Sequence, residues 1–140
     1  AYSVNALSSQ MGTANYIINM TEGLLTPHLL PAIIFLVSAV MAFATGSSWG
    51  TFAICMPIAL PLAFNFTGGT LTILVIASFA AVAGGGVFGD HCSPLSDTTV
   101  LSSTGAAADH IDHVKTQLPY ALVCGALAMA AYLVVGFCFV

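Results

Sequence analysis

Charged side chains are almost absent from this sequence. Of its 140 residues, one is basic and five are acidic, so that 4% are charged, against about 25% in soluble domains. Too few polar residues remain to cover a water-facing surface, which excludes a soluble globular domain. Phosphate neutralisation needs several basic side chains, so Lys115 alone excludes nucleic-acid binding and leaves the membrane orientation undetermined.

Cysteine pairing motifs are missing as well, and we expect no leader. The four cysteines include no C-x-x-C pair, and most lie in apolar runs, so we predict no disulfide framework. The chain opens on Ala1-Tyr2-Ser3, with neither a methionine nor a charged segment ahead of an apolar one. We therefore expect no signal peptide and interpret the sequence as a fragment of a larger membrane protein.

Long apolar runs dominate what is present. The sequence is 59% hydrophobic with a mean hydropathy of +1.02, which indicates an integral membrane protein. A bilayer core needs about 20 helical residues; the stretch 29–66 is too long for one span, and its halves are short for two. The sequence therefore predicts either helix pairs or helices broken within the membrane. The strongest apolar runs are 29–45, 52–66, 70–88 and 118–140.

The predicted fold class is all-α: a polytopic transmembrane helical bundle with discontinuous (broken or re-entrant) helices. Glycine-interrupted apolar segments in one chain are typical of inverted-repeat secondary transporters. We expect a single transmembrane domain over 1–140. Within it, residues 1–26 are weakly amphipathic and predict a peripheral helix, whereas 27–140 form the transmembrane core, with breaks near 46–51 and 89–97.

A polar motif, Gly89 to Thr99, lies between two of the apolar runs. A charged carboxylate near the middle of a bilayer costs about 2.5–3.5 kcal/mol on insertion scales, so such residues are usually functional. A helix break also frees backbone carbonyls that suit a small hard cation. Sodium is the natural candidate, and coupled carboxylates allow a proton to compete for the same site. We expect no resident cofactor or metal.

The candidate cation and proton ligands share oxygen chemistry or a proton-accepting ring and lie at the two predicted breaks. They are Asp90, Asp97, Ser93, Thr98, Ser47, His91, Ser48, Thr51 and Ser96.

Structural roles compete with these functional ones. Asp97 or Ser96 suits a helix N-cap, and Asp90 suits a side-chain bond that braces the glycine-rich turn. The small residues near Ser47 also suit close helix packing. The pair formed by His110 and His113 resembles a metal site, but a solvated loop in which Asp112 caps the last helix is the better interpretation.

Three stretches of the sequence resemble those of a known family. The run Gly89 to Ser103 resembles the signature of NhaC-type sodium/proton antiporters, and the run Asp109 to Ala121 is similar to the stretch that follows it there. Phe43 to Thr51 resembles the family's preceding broken-helix motif. The resemblance implies sodium/proton exchange by alternating access, inverted repeats, a bacterial or archaeal inner membrane, and a longer carrier of which this is the C-terminal part. It implies ion-site roles for Asp90, Ser93, Asp97, Thr98 and Ser47.

Other functions stay open. Relatives of the family exchange organic acids such as malate and lactate, although the absence of arginine here favours a cation. A membrane metalloenzyme that uses His91, His110 and His113, or a structural subunit without transport, is a further alternative. The partners expected for the main hypothesis are sodium and protons as cargo, the lipid bilayer, and the rest of the carrier chain or a second subunit.

Overall fold

The protein is described by a computed structural model that covers residues 3, 6–7, 10–21 and 26–140. Within these residues the secondary structure is helical and no strand occurs, which confirms the predicted all-α class. Three helices are long and apolar enough to cross a membrane, Ser48–Phe66, Ile73–Cys92 and His110–Phe139, whereas Leu30–Thr45 is an apolar helix of 16 residues. The helices are α1 (Thr13–Thr21), α2 (Leu30–Thr45), α3 (Ser48–Phe66), α4 (Ile73–Cys92), α5 (Asp97–Gly105) and α6 (His110–Phe139).

Helices α2 and α3 form an antiparallel hairpin joined by two residues, Gly46 and Ser47. Gly46 has a φ of 67°, a left-handed conformation that ends α2 at low steric cost. Ser47 is the N-cap of α3, and its side chain accepts a hydrogen bond from the Gly50 amide. The hairpin brings the sulfur of Cys55 within 3.5 Å of the sulfur of Met41.

Helix α4 runs parallel to α2 and touches it along a row of glycines. The Cα of Gly85 lies against the carbonyl of Phe35, and that of Gly89 lies against the carbonyl of Ala39. The two contacts are four residues apart along each helix, so they lie on one face of α2 and one face of α4. Without side chains at these positions the two backbones approach closely, as in the small-residue interfaces of membrane helices.

Helix α6 packs antiparallel to α4 on another side. The ring of Phe88 fills the space beside Gly125, and Tyr132 lies close to Gly84 and to the ring of Phe35. The apolar core therefore lies between α2, α3 and α4 with α6 against it, and the C-terminal end of α4 meets the N-terminal part of α6 at the same end of the bundle as Gly46.

Several helix boundaries differ from those predicted. Each predicted break contains a short connection between helices, 46–47 within 46–51 and 93–96 within 89–97, and a break within a membrane-spanning helix stays a prediction. Helix α3 continues through two prolines, and α6 begins at His110 rather than near Leu118. The prediction that Asp112 caps this helix is wrong, because the cap is Asp109, whose carboxylate accepts from the Ile111 amide at 2.9 Å.

The predicted peripheral helix over 1–26 falls partly outside the described residues, which omit 1, 2, 4, 5, 8, 9 and 22–25. In the described part, Tyr16 and Met20 of α1 are exposed. Ile17 borders an apolar groove between α2 and α3. The amphipathic or peripheral character of the whole segment stays a prediction.

Removal of the Asp109 cap is expected to destabilise α6. Asp109→Ala leaves two N-terminal amides without their carboxylate acceptor, and loss of such a cap costs about 1 kcal/mol. Thermal unfolding of the detergent-solubilised full-length protein measures the change. Asp112→Ala is the matched control, since its carboxylate forms only an exposed ion pair with Lys115. Equal unfolding temperatures for Asp109→Ala and wild type would contradict the assignment.

Candidate functional site

The α2–α3 connection (46–47) and the α4–α5 connection (93–96) meet at one end of the bundle. A Cβ added to Gly46 would fall 2.8 Å from the carbonyl carbon of Leu95, so the two loops touch through their backbones. The hydroxyl of Ser93, which is fully buried, donates a 2.7 Å hydrogen bond to the carbonyl of Phe43 in the last turn of α2. One of the carbonyls that the end of α2 leaves without a helical partner is thereby satisfied by the other loop.

Asp90 is buried close to the point where these two connections touch. It lies in the last turn of α4, and only 7% of its surface is exposed. Its Oδ1 accepts a 2.6 Å hydrogen bond from the hydroxyl of Ser96, across the connection that follows α4. Ser96 is also the N-cap of α5, so the positive end of that helix dipole lies close to the carboxylate.

No basic side chain of this chain neutralises Asp90. Lys115 is the single lysine or arginine in the sequence, and its Nζ lies 3.5 Å from the carboxylate of Asp112, with both side chains exposed. An ionised carboxylate that is buried without a cationic partner is costly. A bound cation or a proton is the group that would remove this cost.

Asp97 is placed differently. It is the first residue of α5, its side chain is exposed, and its Oδ1 accepts from the amide of Thr98 at 2.9 Å. Thr98 is exposed too, but its Oγ1 lies 2.7 Å from the hydroxyl of Ser96. The two acids therefore flank the same connection, one of them buried and the other at the surface of the described part.

The remaining candidate hydroxyls lie in the α2–α3 connection, which contains Ser47, and in the first turn of α3, which contains Ser48 and Thr51. Ser47 accepts from the Gly50 amide, and its own carbonyl accepts a 3.0 Å bond from the hydroxyl of Thr51, which is fully buried. Ser48 is the half-buried first residue of α3. The 46–47 connection touches the 93–96 connection through Gly46 and Leu95, and no hydrogen bond joins any of these three residues to Asp90 among the described contacts.

His91 is turned away from the acids, toward α6. Its Nε2 lies 2.6 Å from the side-chain amide nitrogen of Gln117, which also donates to the His91 carbonyl at 3.0 Å. Among the described contacts, no hydrogen bond joins His91 to Asp90 or Asp97, and a role of His91 in sharing the proton stays a prediction.

The metal interpretation loses its support in the part of the chain that the structure describes. There, no group of three or more His, Cys, Asp or Glu side chains is arranged to hold a metal ion. His110 is engaged otherwise: its Nε2 donates to the carbonyl of Pro94 at 2.8 Å, and its Nδ1 lies 3.1 Å from the hydroxyl of Ser103. His110 thus fixes the 93–96 connection to the start of α6.

Sequence reasoning missed the residues that hold the site together. Gln117, His110 and the carbonyl of Phe43 each bond a residue of the polar motif or of its connection. A helical pattern through the charged stretch 109–117 would have placed His110 and Gln117 on one helix, two turns apart. The role of a backbone carbonyl has no sequence signal.

Apolar helices that are long enough to cross a bilayer, with a carboxylate buried where two connections meet, are features of ion-coupled membrane transporters. Comparison with protein families identifies the family. The model of the Na+/H+ antiporter family matches residues 1–137. The chain belongs to this family, and its apolar helices are typical of a membrane protein.

Similar proteins include other antiporters. The chain is 47% identical to an uncharacterized protein of Haemophilus influenzae over 98% of its length, and this covers 26% of that relative. It is 35% identical to the arginine/ornithine antiporter ArcD of Halobacterium salinarum over 89% of its length, which covers 25% of that protein. It is 32% identical to the malate-2H(+)/Na(+)-lactate antiporter of Bacillus subtilis over 79% of its length, which covers 23% of that protein.

The chain thus spans about a quarter of the length of the curated relatives it matches. No solved structure is similar to it.

Proposed function

We propose that the chain is the C-terminal part of an NhaC-type carrier that exchanges sodium for protons across the cell (inner) membrane, and that Asp90 is the acid that takes either cation. The observation that carries this proposal is the burial of Asp90 without a basic partner from this chain, where two helix connections touch. A buried carboxylate in this state favours whichever of sodium or a proton reaches it. Exposure of such a site to each side of the membrane in turn gives exchange.

The proposal extends to the architecture. We propose that the α2–α3 hairpin and the α4–α5 pair are the discontinuous elements of a multi-pass, inverted-repeat carrier, with their breaks at 46–47 and 93–96. Backbone groups freed at such breaks persist in a membrane only where protein or a water-filled cavity meets them. The rest of the carrier chain, or a second subunit, would supply the remaining walls.

An ion-coupled exchanger of organic acids is the second candidate, because one similar protein is named a malate-2H(+)/Na(+)-lactate antiporter. An anionic substrate is usually bound by arginine or by helix N-termini. This chain has no arginine, which is why the cation exchanger is the leading proposal.

Vesicles that contain the full-length carrier and an internal pH indicator test the two candidates. External sodium is expected to raise the internal pH, because protons leave as sodium enters, and potassium at the same concentration is expected to leave the pH unchanged. A response that requires malate on one side and lactate on the other would favour the organic-acid exchanger. No response to either addition would contradict both proposals.

A further inference from the structure

We infer that Thr98 and Ser96 form a two-hydroxyl proton relay to Asp90 rather than part of the cation shell. This inference rests on the proposed function and divides its candidate residues into two roles. The three residues are connected in series. The hydroxyl oxygen of the exposed Thr98 lies 2.7 Å from that of the fully buried Ser96, which lies 2.6 Å from Oδ1 of the buried Asp90.

The direction of each hydrogen bond follows from counting hydrogens. A serine hydroxyl has one hydrogen and two lone pairs. The hydrogen of Ser96 points to Oδ1 of Asp90 at 2.6 Å. The 2.7 Å contact between Ser96 and Thr98 can then be a hydrogen bond only if Thr98 is the donor. The result is a chain of donors directed inward, from Thr98 to Ser96 to Asp90.

The same count leaves Ser96 without a free lone pair. Its oxygen accepts from the Thr98 hydroxyl and also, at 3.2 Å, from the Thr98 amide, whose one hydrogen it shares with Oδ1 of Asp97 at 2.9 Å. An oxygen that accepts two hydrogen bonds and donates a third has no electron pair left for sodium. While these bonds hold, Ser96 can pass a proton but cannot coordinate a cation, so sodium must find its oxygen ligands elsewhere around Asp90.

Proton transfer along this chain is balanced. A hydronium ion at the surface gives a proton to the oxygen of Thr98, Thr98 passes its own hydrogen to Ser96, and Ser96 passes its hydrogen to Asp90. Three O–H bonds break and three form, the carboxylate becomes a neutral acid, and one water molecule is released. The two hydroxyls then point outward, and rotation about their C–O bonds restores the inward chain for the next turnover.

The variant Thr98→Val separates the relay from the cation site. It keeps the β-branched shape of an exposed side chain while it removes the outer hydroxyl, and the Ser96 cap of α5 is retained. In vesicles of the full-length carrier we expect sodium-driven proton movement to fall by about tenfold or more. Exchange of labelled sodium for unlabelled sodium, which moves no proton, is expected to proceed at the wild-type rate. Thr98→Ser should restore proton movement.

Thr104→Val is the matched control. Thr104 is an exposed threonine of the same helix, and its hydroxyl donates only to the carbonyl of Val100, so both exchange rates should equal those of wild type. Equal losses of proton-coupled and sodium–sodium exchange in Thr98→Val would place Thr98 in the cation shell and overturn the relay. Unchanged proton movement would overturn it too. Failure of wild-type vesicles to respond to sodium at all would instead refute the proposed function.

Discussion

Replacement of Asp90 by asparagine is expected to abolish sodium-driven proton movement in vesicles of the full-length carrier. Asparagine has nearly the same size, and its carbonyl oxygen can keep the 2.6 Å hydrogen bond from Ser96. It carries no charge and takes up no proton, so it can neither attract sodium nor release a proton in return. The internal pH change after a sodium pulse should drop to that of vesicles without protein.

The control for this variant is Asp112→Asn, the same change at an exposed acid. Its carboxylate lies beside Lys115 on the surface, where solvent screens the pair, and exchange should continue at the wild-type rate. Thermal unfolding of Asp90→Asn should show a folded protein, because asparagine keeps the size of the side chain and the hydrogen bond from Ser96. A wild-type rate of exchange in Asp90→Asn would exclude this residue as the acid that carries the cargo.

Asp97→Asn is expected to reduce exchange less than Asp90→Asn does. The Asp97 side chain is exposed at the first position of α5 and accepts only from the amide of Thr98 among the described residues. Water already solvates such a carboxylate, so its demand for a cation is weaker than that of a buried one. A greater loss in Asp97→Asn would mean that another part of the carrier encloses Asp97 and that the cation shell centres on it.

The sequence identifies both aspartates but does not predict which of them is buried. The motif identified both aspartates and located them between apolar helices, because apolar runs and polar interruptions are local signals. Which acid is buried depends on the contact of Leu95 with Gly46, 49 positions earlier in the chain, and on the turn that brings Ser96 back to Asp90. No single-sequence pattern encodes such long-range contacts.

The helix ends also differ in whether a local sequence signal predicts them. Pro31 in the first turn of α2 and the glycine that ends that helix are local preferences of the backbone, and both are visible in the sequence. The start of α6 was missed because its first turns are polar, and the apolar pattern begins only near Leu118. Asp109, which the sequence analysis placed in a loop, is the residue that permits a helix there.

Replacement of Gly89 by alanine is expected to cause the largest loss of stability among glycine variants of the α2–α4 interface. An added Cβ would overlap the carbonyl oxygen of Ala39 and lie 2.7 Å from the amide nitrogen of Phe43. Both are backbone atoms, so no side-chain rotation relieves the overlap and α2 must move as a unit. We expect a cost of about 3 kcal/mol or more, the upper end of overpacking in cores. Thermal unfolding in detergent measures it, with Gly105→Ala, in open space, as the control.

Gly86, which also lies on α4, provides a comparison with Gly89. At Gly86 an added Cβ would meet the ring of Phe52 at 2.5 Å, which is a side chain. The damage from Gly86→Ala should therefore be partly reversed when Phe52→Ala is added. Gly89→Ala has no such rescue on α2, because its partner is the peptide group itself, and movement of α2 would also break the 2.7 Å bond from Ser93 to Phe43. The loss of stability should then be accompanied by a loss of exchange, since the same bond holds the 93–96 connection against the end of α2 beside Asp90.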